Sequence, residues 1–208
     1  MSKETHYEAF QGLMADFAAD YLGPTIKKGT RYTRPTDSQF VTVFYGFTEI
    51  SAALDALALT ETLVGVAPPR AKHINKDDYL KFLVGAYLQE MYILEQRMTA
   101  YAKKISRLYH KPNLPSVVRR IVYEPMESII NTRGAHVHSH RFSDERLDMV
   151  STMALFRRTG HELGDDLEFE YKLAQVEWKN RIKTNNQATR KIVDQYFKLL
   201  HVVLYDQG

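Results

Sequence analysis

The segment Arg133-Gly134-Ala135-His136-Val137-His138-Ser139-His140 gathers an arginine and three of the chain's eight histidines into eight residues. Histidine titrates near neutrality and can take a proton from a ribose 2′-hydroxyl or return one to a leaving 5′-oxygen. Arginine can clamp a phosphate and offset the charge that grows on it. The pair Arg133 and His138 is therefore a minimal set for cleaving a phosphodiester without a metal, with His140 and Arg141 as accessory contacts. A second chemistry uses His136, His138 and His140 as neutral imidazole ligands, which implies a metal-dependent hydrolase. Alternating ligands of that kind are usually carried by a strand, and His161-Glu162-Leu163-Gly164-Asp165 matches the His-Glu-x-x-His zinc pattern only at its first two positions. A purely structural role is the third option: Arg133 pairs with Glu127 or Glu145, and the histidines interact with a helix dipole.

The elements that must position this segment are helices. Apolar residues recur at helical spacing, and no stretch shows the alternation or the Asn-Gly and Asp-Gly turns of a sheet. The expected fold is all-α, a helical bundle with long third and C-terminal helices, in a single domain over residues 1–208. Its motif-bearing core spans about 37–158, and the last helix about 165–205. A first helix is expected from Thr5 to Leu22, ended by Gly23-Pro24. Thr36 or Asp37 should cap a second, with the stripe Phe40, Val43, Phe44, Phe47, Ile50, Leu54 and Leu57. A third should run from Asn75 to Tyr109. The helix from Ser116 should kink at Pro125 and exit at Gly134, a residue suited to the left-handed C′ position. That exit matters, because residues five apart on an unbroken helix are separated by about 140°. Ser143-Asp144-Glu145 reads as the N-cap of the next helix. In the final tract the polar run Thr184-Asn185-Asn186-Gln187 marks either a break or a part that projects into solvent or a partner.

The 208 residues are sufficient for a sizeable core, and 44% hydrophobic content suits a soluble globular protein. With no cysteine there is neither a disulfide nor a thiolate metal site. The opening Met-Ser-Lys-Glu-Thr-His lacks a hydrophobic signal region, and Asp55 and Glu61 interrupt the most apolar window, Ser51 to Ala67. Cytoplasmic location without membrane insertion is the expectation. The net charge of +3 is unevenly spread: Lys103, Lys104, Arg107, Lys111, Arg119 and Arg120 fall between Tyr101 and Arg120 without an acid. Two shorter stretches, Pro24 to Thr36 and Lys179 to Lys191, are likewise basic and free of acids. Cations interleaved with aromatics suit a polyanion such as RNA, and they also suit a solvated helix face. There is no Gly-x-x-x-x-Gly-Lys or Gly-x-Gly-x-x-Gly nucleotide signature.

An all-helical chain carrying Arg-x4-6-His near the end of an inner helix resembles the HEPN family, named from higher eukaryotes and prokaryotes nucleotide-binding. Arg133-x4-His138 and Arg133-x6-His140 both fit that spacing, and the aromatic and aliphatic helix of Phe44, Phe47, Glu49, Ile50 and Leu54 has the family's character. The likeness extends over about Phe40 to Phe156. The residue after the arginine, commonly polar in that family, is Gly134 here. The resemblance implies RNA as ligand and either a metal-independent endoribonuclease or a non-catalytic RNA-binding protein. It implies no cofactor and a homodimer in which two Arg–His motifs face a shared cleft, often within toxin–antitoxin, antiviral or stress-response systems. Outside that resemblance, the same helices suit a non-catalytic interaction module that binds a protein partner.

Overall fold

A computed structural model describes residues 4–27, 35–70, 74–138, 144–164 and 166–205, without the side chains of Thr25, Lys27, residues 133–138 and Tyr205. The fold is all-α, and no strand occurs among the described residues. The helices are α1, His6–Lys27; α2, Ser38–Val64; α3, Lys76–Leu108; α4, residues 114–138; α5, Glu145–Arg158; and α6, Leu167–Tyr205, the longest at 39 residues. A 3₁₀ turn, Glu162–Gly164, precedes α6.

The chain divides into two compact units. The first comprises residues 1–52, 94–126 and 189–208, and the second residues 53–93 and 127–188. In the first, Phe10 packs on Phe47 and Phe197 with ring centroids 5.6 and 4.8 Å apart, and Tyr196 Oη donates to the Met98 carbonyl at 2.8 Å. Asp194 accepts from the His6 and Tyr7 amides, two of the orphan donors at the start of α1. In the second unit Leu57, Leu80, Val84, Leu88, Met91, Leu147, Val150, Ala174 and Ile182 are buried. Gln175 donates to the Val64 and Val66 carbonyls, satisfying the C-terminal end of α2.

Two helices contain π turns, each with a local cause. In α2, capped by Asp37 through the Phe40 amide at 2.6 Å, residues Val41–Tyr45 form the wider turn, and the Val43 carbonyl accepts from Tyr101 Oη at 2.9 Å. A Cβ at Gly46 would overlap the Tyr101 ring, so only glycine permits this close approach. In α4 the π turn Arg119–Tyr123 comes directly before Pro125, and the Glu124 amide donates to the Arg119 carbonyl. Proline lacks an amide and crowds the carbonyl four residues back. Widening the preceding turn accommodates it, and the helix continues past Pro125.

Two expected boundaries are corrected, and one open choice is resolved. Helix α1 runs through Gly23-Pro24 to Lys27. Helix α4, described as far as His138, passes Gly134, because a glycine within a helix costs only about 1 kcal/mol and does not by itself stop one. Helix α6 is unbroken across Thr184 to Gln187: Asn186 is buried and donates to Glu61 Oε2 at 2.8 Å, so its polar amide is used inside the second unit. The α3–α4 turn has His110 at φ 53°, the left-handed position usually given to glycine, with the Lys111 amide bonded to the Ser106 carbonyl at 2.9 Å.

Helix α2 is long and apolar enough in composition to cross a membrane, with a mean hydropathy of 1.3 in its most apolar window. Its Phe40, Val43, Phe47 and Ile50 are buried within the first unit, and its Ala53, Leu57 and Val64 within the second.

Gly46→Ala should lower stability by about 1–3 kcal/mol through overpacking against Tyr101. Gly85→Ala, on α3 where a Cβ would meet nothing within 4 Å, should be neutral or stabilising by up to about 1 kcal/mol. Urea denaturation of both variants measures the difference.

Candidate functional site

Helix α4 carries the Arg133–His138 segment as its last described residues. Because the backbone stays helical through Gly134, the Cα positions of Arg133 and His138 lie about 140° apart around the helix axis. The side chains of Arg133, His136 and His138 lie outside what the structure describes, as do residues His140 and Arg141 entirely. Among the described residues no group of three His, Asp or Glu side chains is placed to hold a metal ion.

The turns of α4 just before Arg133 border a cleft of about 620 Å³ in the second unit. Ile129 and Thr132 line it from α4, Tyr87 and Leu88 from α3, and Asp144 from the start of α5. Helix α6 contributes Trp178, Asn180, Arg181, Thr184 and Asn185. The lining is mixed, with an apolar part from leucine, isoleucine and tryptophan and a polar part rich in amides and hydroxyls.

Asp144 organises one wall. It has extended backbone geometry, as N-caps do, and its Oδ1 accepts from the Leu147 amide at 3.2 Å. The same oxygen accepts from Trp178 Nε1 at 3.2 Å, and Oδ2 accepts from Arg181 Nη1 at 2.9 Å. Its side chain is only 10% exposed, so these bonds form in largely dehydrated surroundings. Arg181 lies over the Trp178 ring, 5.1 Å from its centroid, and also pairs with Glu177 one turn back. Arg146 continues the series by bonding Glu177 Oε2 at 3.3 Å. The acceptor positions of Asp144 are thus matched by three donors, and Arg181 is compensated by two carboxylates.

Tyr87 forms another part of the wall. Its side chain is fully buried, and its hydroxyl makes no hydrogen bond of ordinary geometry. Burial pushes that hydroxyl up to about 12, against the opposing influence of the nearby Asn185 amide, so it is neutral at physiological pH.

The basic stretch falls in the first unit. Lys103, Lys104 and Arg107 near the end of α3, Lys111 in the turn, and Arg119 and Arg120 on the α4 π turn are all exposed. None of the six forms a salt bridge with a described residue; Arg119 lies over the Tyr123 ring at 5.4 Å. Of the other basic stretches, Lys28, Arg31 and Arg34 lie outside the described residues. Lys179 to Lys191 belongs to α6, where Arg181 is committed to Asp144 and Glu177.

Sequence reasoning missed Tyr87, Asp144 in its pairing role, Trp178 and Arg181 as parts of one cleft. The signal present was the single tryptophan followed three residues later by arginine, just before the polar run in an otherwise amphipathic helix. No family model, curated protein or solved structure matches this chain.

Asp144→Ala should lower stability by roughly 2–4 kcal/mol, combining loss of the α5 cap with loss of an acceptor for Trp178 and Arg181. Asp144→Asn keeps a capping oxygen and should cost less. Chemical denaturation that found the alanine variant as stable as the unmodified protein would remove Asp144 from this role.

Proposed function

We propose that this chain is a HEPN-like RNA-binding protein acting as a metal-independent endoribonuclease, with Arg133 and His138 as the reacting pair. The observation that carries the reading is the position of the motif: α4 carries it directly after Ile129 and Thr132, which line the mixed polar and apolar cleft. The six exposed cations from Lys103 to Arg120 support RNA as the ligand, since unpaired cations are free to replace the counterions of a polyanion.

In the proposed reaction the His138 imidazole accepts the 2′-hydroxyl proton as the 2′-oxygen attacks phosphorus. The bond to the 5′-oxygen breaks, and that oxygen takes a proton, leaving a cyclic 2′,3′-phosphate and a 5′-hydroxyl. Arg133 holds the phosphate oxygens as charge builds on them. His140 and Arg141 act as accessory contacts, and no cofactor takes part. Helical continuity turns the Arg133 and His138 positions of one chain to different sides, so the site is completed in a homodimer that opposes two motifs. A cytoplasmic setting in a toxin–antitoxin, defence or stress system accords with this chemistry.

One observation favours a second reading, a non-catalytic module that binds a protein. Phe169, Leu173 and Val176 form an exposed apolar row on α6, with Phe169 61% and Val176 57% accessible.

Purified protein incubated with mixed single-stranded and structured RNA in EDTA should cleave it. Arg133→Ala and His138→Ala should each reduce the rate by at least about 100-fold, the scale of a lost proton-transfer or charge-stabilising group. Equal activity in the His138 variant would discard its role. No cleavage by the unmodified protein would favour the interaction module, and cleavage only with added divalent ions would favour a metal site.

A further inference from the structure

The Tyr87 hydroxyl borders the second unit's cleft in an unusual state, buried and without a hydrogen bond of ordinary geometry. Buried polar groups are nearly always paired, and leaving one unpaired costs about as much as losing a hydrogen bond. A group from a ligand in the cleft can supply the missing partner. Among the described lining residues the two charged side chains, Asp144 and Arg181, neutralise each other at 2.9 Å, so the described lining offers no uncompensated charge to a phosphate or an ammonium. It offers instead the Tyr87 hydroxyl, the Asn185 amide, and a guanidinium held over the Trp178 ring. Flat, uncharged rings with donors and acceptors along one edge match this set: amides read base edges, and guanidinium planes stack on bases. At about 620 Å³ the space falls within the usual range for a small-ligand site.

We infer that this cleft binds a nucleobase, stacked beside Arg181 and held at its edge by Tyr87 Oη and Asn185. The inference rests on the RNA reading for its choice of ring, and its test does not depend on cleavage. The ligand is recognised by the base and not by its phosphate.

Equilibrium dialysis of the full chain against labelled adenosine, guanosine, cytidine and uridine measures binding directly. Emission from Trp178, the only tryptophan, reports whether the cleft is the place. At least one nucleoside should be retained and should change that emission saturably. Tyr87→Phe, which removes only an unpaired hydroxyl and should leave the fold intact, should weaken retention by roughly tenfold, the size of one hydrogen bond. Asn185→Leu should weaken it similarly. No retention of any nucleoside, retention unchanged in both variants, or equal competition by ribose 5-phosphate would each overturn the proposal. Nucleoside binding by a protein that cleaves no RNA would leave this site standing and remove only the nuclease reading.

Discussion

Asp144 accepts three hydrogen bonds while almost entirely out of water, and the candidate site depends on this arrangement. One carboxylate starts α5, fixes the Trp178 indole and holds the Arg181 guanidinium over that indole. A dehydrated carboxylate is stable only where donors match it, and each donor here comes from an element that lines or borders the cleft. The charge series continues through Glu177 to Arg146, which ties the first turn of α5 to two successive turns of α6. The wall is therefore built by pairing within the second unit, and its charges are spent on one another. What remains for a ligand is neutral hydrogen bonding and a stackable plane.

The two units use different physics. The first is organised by aromatic rings: Tyr7, Phe10, Phe47 and Phe197 meet at centroid distances of 4.8 to 6.1 Å, and Tyr101 fits against Gly46 at a π turn. It carries six exposed cations, from Lys103 near the end of α3 to Arg120 on the α4 π turn. The second keeps fewer rings and holds buried polar atoms without a hydrogen-bond partner, among them Asn186 Oδ1, the Tyr87 hydroxyl and the Tyr171 hydroxyl. Buried polar groups that are incompletely paired are costly for stability and useful for recognition. On the proposed RNA reading, this contrast would give electrostatic attraction of a polyanion to the first unit and specific contact to the second.

The helices were legible in the sequence because their apolar spacing is long and regular; α3 and α5 agree with it to within a residue or two. Boundaries read from single glycines and prolines failed where the cost of keeping such a residue inside a helix was small or locally relieved. Gly134 costs about as much as any interior glycine, and the π turn before Pro125, a residue expected inside the helix, rests on i to i−5 bonding that leaves no trace in residue type. The polar run on α6 was visible, but its partner Glu61 stands 125 positions away, and pairing at that distance cannot be read from one chain. The Arg133–His138 spacing was visible in the sequence. The cleft beside it was not, since Tyr87, Asp144 and Trp178 belong to three helices and to no motif.

RNA binding is the claim on which nuclease activity and base recognition both depend. The most direct test is the affinity of the purified protein for a short single-stranded RNA, measured by fluorescence anisotropy across a range of salt concentrations. If several of the exposed cations from Lys103 to Arg120 contact phosphates, log affinity should fall against log salt with a slope of about −2 to −4, near 0.7 for each phosphate neutralised on a single strand. No binding at low salt, or an affinity that does not change with salt, would contradict the account.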